Sequence, residues 1–279
     1  MTIITTNNDR KYQTVGMGKT IAAVAVGGGA YAATALTQLP FAKYCTKQAA
    51  NTGQSCDSVI LNKGVDKAFE NFKLATKGVE IVDINEKTPA SPIFEKLPKW
   101  LRGIVDQLEI IKEGKNAAFS PDYNSILVNE AKFNIATFHE MGHAVNYNFS
   151  KFWKGMQKSR IPCMTLGGLF GSIALFKRKK VDGEKPKNSF DEFTTFIKNN
   201  VGKLVLISSV PVVAEELMAT HRGNSMAKKV LSPELFKKVQ TVNRWGATAY
   251  IASAVGSALA AVAGSKIRDT LAKPKEITD

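Results

Sequence analysis

The stretch His139-Glu140-Met141-Gly142-His143 limits what this chain can fold into more than any other. On a helix, residues four apart lie one turn apart on one face; on a strand the same two would be about 13 Å apart. The two imidazoles can therefore act together only if this segment is helical. In that arrangement they can hold one Zn2+, with Zn–N bonds near ~2.0–2.1 Å. Glu140 then sits on the rim, where a carboxylate can take a proton from a metal-bound water and return it to a leaving amine. The chain has three histidines, and two of them fall here. The competing reading is a helix whose histidines are surface residues only.

The flanks extend the pattern. Upstream, Asn116 to Phe119 and Ser125 to Asn129 read as two strands around the turn Ser120-Pro121-Asp122-Tyr123-Asn124. Asn129 suits an N-cap and Glu130 the first turn of the helix to follow. In zincins the strand before the metal helix is an exposed sheet edge that pairs with an extended peptide. Ile126, Leu127 and Val128 are the candidates for such strand addition. An ordinary core hairpin is the alternative.

A catalytic zinc needs a third protein ligand. A metzincin continues H-x-x-G-x-x-H, but Asn146 and Phe149 occupy those places. A thermolysin-like site needs a nearby downstream Glu, and no Asp or Glu occurs between Ala144 and Val181. A site-2-type intramembrane protease uses a later Asp-Gly. Asp182-Gly183 lies in a charged loop, and Asn134, Asn146 and Asn148 make the metal helix a poor span. What remains is Ala214-Glu215-Glu216-Leu217-Met218-Ala219-Thr220-His221.

Here the chain resembles the membrane-bound gluzincins, among them the heat-shock membrane protease and the CAAX prenyl protease. Those families pair H-E-x-x-H with a later E-x-x-A helix, and Glu216-Leu217-Met218-Ala219 matches it. The resemblance covers roughly Asn116 to Ala227 and implies Glu216 as the third ligand. It also implies that the small Ala219 lies where two helices pack closely. Thr220 stands where the family usually has an Asp that supports a metal histidine, which puts that support in doubt. Glu215 and His221 stay open as rival ligands, and His221 also as a group steadying the oxyanion of a tetrahedral intermediate. Glu216 and His221 are five apart and do not share a helical face.

The formal charge of +14 admits nucleic acid, anionic lipid or topology signals as its cause. No aromatic-basic nucleic-acid motif is present, and much of the excess lies beside apolar stretches, so a nucleic-acid partner is set aside. Residues 1–19 form a basic tail. Residues 20–42 carry no charge and are long enough to span a bilayer; a cleaved signal peptide, with Arg10, Lys11 and Lys19 as its basic region, is the rival. Residues 161–176 are uncharged and read as a transmembrane or apolar helix before the basic loop 177–203. Residues 204–244 carry the third-ligand helix and an amphipathic segment; 204–214 is either a short span or a buried helix. Residues 245–264 read as a last span, or as a core helix, and 265–279 as a basic tail.

Between the first two spans, residues 43–160 read as the catalytic domain. Gly64 to Lys77 has an amphipathic helical pattern, Val79 to Ile84 a strand, Thr88 to Pro92 a loop and Lys99 to Glu113 a second helix. Cys45 and Cys56 are close enough to form a disulfide loop; Cys163 sits in an apolar run.

The expected fold is an α+β zincin-like catalytic domain, a small antiparallel sheet plus metal-binding helices, with about four transmembrane helices. The resemblance implies a membrane-anchored zinc endopeptidase with one Zn2+ on His139, His143 and Glu216, and Glu140 as base and then acid. Its substrates would be peptides or membrane-protein segments. Two other readings stand beside it: a non-catalytic zinc-stabilised membrane scaffold, and a soluble secreted metalloprotease with a cleaved signal peptide. With four spans, the basic clusters around Arg10, Lys177 and Lys266 fall on the cytoplasmic side. The catalytic domain then lies outside, where a Cys45–Cys56 disulfide can persist. The heat-shock family, by contrast, keeps its catalytic domain in the cytoplasm.

Overall fold

The structure is a computed structural model describing residues 3–6, 10–36, 41, 44–45, 47–48, 51–52, 56–85, 87–88, 110–132 and 135–277. In chain order its elements are β1 (Ile3–Thr5), β2 (Lys11–Gln13), α1 (Met17–Leu36), α2 (Ser58–Asn71) and β3 (Glu80–Asp83). Then come β4 (Ala118–Ser120), β5 (Ser125–Val128), α3 (Thr137–Phe149), α4 (Lys151–Phe176), α5 (Ser189–Ser208), α6 (Val210–Val230), α7 (Pro233–Leu271) and β6 (Lys275–Glu276). The described residues are mostly helical, with two small sheets among them. It divides into one unit of Met1–Ala42, Ser159–Pro211 and Ile251–Asp279 and another of Lys43–Lys158 and Val212–Tyr250.

The second unit carries the H-E-x-x-H segment. Helix α2 starts six residues before the expected Gly64, because the Asp57 carboxylate accepts from the Val59 and Ile60 amides at 2.8 and 3.3 Å. It buries Leu61, Gly64, Val65 and Ala68, the one-sided spacing of an amphipathic helix. A short 3-10 turn ending at Gly78, in the left-handed region at φ 68°, then turns the chain into β3. The expected hairpin forms: β4 and β5 pair antiparallel around a turn that places Asn124 at φ 51°. Leu61, Val65, Ile126, Phe138, Met141 and Met226 share one core, each of them fully buried. Burying a side chain of that size contributes roughly 1.5–3 kcal/mol, so the metal helix is held mainly by its Phe138 and Met141 face.

Several expectations are corrected. The sheet is mixed, because β3 pairs parallel with β5 while β4 pairs antiparallel with it, giving the order β3-β5-β4. Ile126, Leu127 and Val128 therefore lie on the central strand, with both neighbours taken, and cannot be the edge that adds a peptide strand. Three consecutive apolar residues fit a strand covered on both sides better than an exposed edge. Asn129 does not cap the metal helix. Its side chain accepts from the Lys132 amide at 2.9 Å and donates to the Lys112 carbonyl, closing a turn eight residues upstream of α3. Cys45 and Cys56 are not joined in a disulfide: Cys45 is buried, and the Cys56 thiol points back to the Thr52 carbonyl at 3.7 Å. The expected helix over 99–113 and loop over 88–92 lie mostly outside the described residues.

In the first unit, β2 pairs with both β1 and β6. Its helical part has small residues inside and large apolar ones outside. Ala174, Val201, Val205, Ala258 and Ala261 form its core. Ile161, Met164 and Phe176 on α4 and Ile251, Val255 and Leu259 on α7 are exposed. Gly27 of α1 and Gly264 of α7 meet so closely that a Cβ on either would lie 2.7 or 2.6 Å from the other's carbonyl oxygen.

Helices α4 and α7 are long and apolar enough to cross a membrane. Helix α1 overlaps the first expected span, 20–42, but is not one of the two among the described residues, which end that helix at Leu36. The third expected span is not a single helix: 204–214 is split at Ser209 between the end of α5 and the start of α6. Pro211 falls in the first turn of α6, where its missing N–H leaves no helical hydrogen bond unmade.

Candidate metal centre

Two helices of the second unit build the site. Helix α3 supplies His139, Glu140 and His143, and α6 supplies Glu215 and Glu216. Their approach depends on small residues. A Cβ on Gly142 would sit 2.1 Å from the Ala219 carbonyl oxygen, and one on Gly223 would sit 2.4 Å from the Phe138 carbonyl oxygen. Glycine at both positions and alanine at 219 let the two backbones touch, as the E-x-x-A resemblance implies for Ala219.

This contact brings three ligand atoms together. His139 Nε2 lies 3.0 Å from Glu216 Oε2, His143 Nε2 lies 3.1 Å from His139 Nε2, and His143 Nε2 lies 3.4 Å from Glu216 Oε2. A point in the plane of those atoms and equidistant from them is about 1.8 Å from each, so an ion slightly above the plane meets all three at the ~2.0–2.1 Å of a metal–ligand bond. The buried His and Glu groups can hold a metal ion.

The outer nitrogens have partners of their own. His143 Nδ1 is 2.8 Å from Glu215 Oε1, and His139 Nδ1 is 3.3 Å from Thr220 Oγ1. In the state a metal requires, with both Nδ1–H groups donating outward, the two Nε2 lone pairs face each other across 3.1 Å; in the metal-free protein a proton on His143 takes the ion's place. Such a pair calls for a shared cation. Glu215 therefore serves the far nitrogen of His143 and not the shared point, which argues against it as the third ligand. It is held there by Asn146 Nδ2 at 2.9 Å. Thr220, and not an acid, is the side chain beside His139 Nδ1. His221 is exposed on the same helix and joins neither group.

Electrostatics follow the packing. Burial works against a charged His143, but its bonds to the Glu215 and Glu216 carboxylates outweigh this and raise it to about 10. Burial likewise pushes Glu216 up, but the His139 and His143 contacts pull it far below the usual carboxylate range. Glu140 is raised by burial, opposed by His143 and His139. Its Oε2 accepts the Phe119 amide of β4 at 2.7 Å. Among the groups capable of holding an ion, Glu140 stands within 4.8 Å of both imidazoles, whereas Glu216 is nearer to each.

Sequence reasoning missed Asn146 and Phe119 as parts of the site. Asn146 was legible, since it follows His143 by three residues and so shares its helical face. The Phe119 amide was not, because which strand borders the helix is a tertiary matter. No protein-family model, curated protein or solved structure matches this chain.

Proposed function

We propose that the chain is a membrane-anchored, zinc-dependent peptidase. The observation that carries this is the triangle of His139 Nε2, His143 Nε2 and Glu216 Oε2, with the Glu140 carboxylate beside it. That donor set, two imidazoles and one carboxylate, is one of those used by water-activating zinc sites. A bound zinc would supply Lewis acidity toward a scissile carbonyl and a water of lowered pKa. The chain's own residues do the rest. Glu215 and Thr220 hold the two imidazoles in the tautomer that leaves Nε2 free. Glu140, raised by burial, sits closer to the operating pH than an exposed Glu and is suited to take and return a proton. Strand addition, excluded at β5, is assigned instead to the outer edge of β4, whose Phe119 amide already points to Glu140.

The first unit is the anchor. Exposed large apolar side chains around a core of small residues suit lipid, in which close backbone contact replaces the hydrophobic effect. Helices α4 and α7 are its spans; α1, with Ile21 and Val26 exposed and Gly27 against Gly264, is a third, and α5, packed with α4 and α7 through Val201 and Val205, is the return crossing that puts Glu216 on the same side as His139 and His143. The basic clusters still favour an outward-facing catalytic unit, although the disulfide no longer supports that side.

The test is Glu140→Gln in the purified full chain. It should keep bound zinc and lose peptide hydrolysis by about 10²–10⁴-fold, because the ligands survive and the proton shuttle does not. Hydrolysis of a casein substrate at the wild-type rate would defeat the peptidase mechanism. Zinc binding without hydrolysis by either protein would leave the scaffold reading in its place.

A further inference from the structure

Away from the metal centre, the first unit holds an unusual excess of buried positive charge. Arg268, near the end of α7, is only 3% exposed. Its Nη1 donates to Asp269 at 3.1 Å and its Nη2 to the Phe176 carbonyl at the end of α4 at 3.3 Å. Its Nε is buried with no hydrogen-bond partner among the described residues. The same Asp269 lies 2.9 Å from the buried Lys198 ammonium, which also donates to the Ala174 carbonyl at 2.7 Å. One carboxylate thus answers two buried cations.

Beside this cluster lies an open cleft of about 790 Å³, lined by Arg268 and by Lys179, Lys180, Lys273 and Lys275. Lys180 is engaged with Asp191 at 2.6 Å and Glu184 at 3.6 Å. Of the acids in the lining, Asp269 is shared as described, Glu276 lies 3.8 Å from Arg10, and Asp182 remains. Lys179, Lys273 and Lys275 are exposed. The cleft therefore presents several cations to one further carboxylate. Its walls are residues 179–182, which follow the end of α4, residues on either side of Leu271 at the end of α7, and Tyr12 of β2. Phe176, Ile267 and Leu271 are exposed apolar side chains on those same helix ends.

We propose that this cleft binds the headgroup phosphate of an anionic phospholipid, with its acyl chains along the apolar flanks of α4 and α7. The inference rests on the reading of those two helices as spans and is independent of the metal centre. A guanidinium with unused donor capacity matches phosphate oxygens, and lysines at the end of a span attract anionic headgroups. A zwitterionic lipid carries its own ammonium into the same cationic cleft and gains much less.

Native mass spectrometry of the full chain released from maltoside micelles tests this. Phosphatidylglycerol, phosphatidylcholine and inorganic phosphate are each titrated separately. One phosphatidylglycerol should be retained at least tenfold more tightly than phosphatidylcholine. The triple variant Lys179→Gln, Lys273→Gln, Lys275→Gln should lose at least tenfold of that affinity with its helical circular dichroism unchanged. Arg268→Gln should lose it as well, but the exposed lysines carry the test because the buried arginine also holds the fold. Equal retention of the two lipids, or wild-type binding by the triple variant, would overturn the proposal. So would saturation of the cleft by inorganic phosphate at the same concentration, which would make it a site for a soluble anion.

Discussion

One methyl group at Gly142 should open the metal centre. An alanine Cβ there would lie 2.1 Å from the Ala219 carbonyl oxygen and 2.8 Å from its carbonyl carbon, both rigid backbone atoms of α6. A carbon rests against a carbonyl oxygen at about 3.3 Å, so the two helices must part by roughly 1.2 Å. His139 and His143 ride on α3 and Glu216 on α6. The same displacement stretches the 3.0 and 3.4 Å contacts of Glu216 with the two histidines. Three bonds of ~2.0–2.1 Å can no longer close around one ion. Helix propensity pulls the other way, since Ala is favoured over Gly inside a helix by ~1 kcal/mol. Overpacking costs about 1–3 kcal/mol, so stability should fall or at best stay level, while metal affinity drops at least tenfold. Gly155→Ala on α4, where nothing lies within 4 Å of the new Cβ, is the control. It should gain about 0.5–1 kcal/mol and bind metal normally. Zinc affinity by chelator competition and thermal unfolding of both variants decide the matter. Wild-type affinity in Gly142→Ala, or a rise in its Tm equal to that of Gly155→Ala, would refute the claim that helix approach sets the ligand spacing.

The two neighbouring glutamates should separate cleanly. Glu216→Ala should abolish bound metal by elemental analysis, whereas Glu215→Ala should weaken it about 10–100-fold through loss of His143 orientation. The opposite ranking would shift the ligand register by one residue. Metal loading should also be linked to pH. In metal-free protein His143 is held protonated, with its pKa raised to about 10. That contribution to stability is fully present below the ordinary imidazole value of ~6.5 and fades as pH rises through about 10. A metal ligand must be neutral, so zinc binding at pH 7 should expel about one proton from this site, measured by calorimetry in two buffers of different ionisation enthalpy. Binding with no proton release would mean that His143 is already neutral in the metal-free protein, which would refute the charged His143 inferred from its two carboxylate contacts.

Local periodicity determined much of this protein in advance. The spacing of His139 and His143 works only on a helix, and α3 is one. The alternation and turn residues around Pro121 predicted the β4–β5 hairpin, and the one-sided apolar pattern near Val65 predicted α2. These are properties that a segment carries within itself, because helix and strand geometry repeat every few residues. What the chain could not show in one dimension was which surfaces meet. Ile126 to Val128 became the sheet centre because β3, more than forty residues upstream, pairs alongside. Glu215 became the partner of His143 Nδ1, and Asn146 the partner of Glu215, because Gly142 and Gly223 let two helices touch. Cys45 and Cys56 stayed apart despite their nearness in sequence, and Arg268 and Lys198 came to share one carboxylate. Each of those outcomes depends on contacts between distant segments, chosen by how whole faces pack and not by any local repeat.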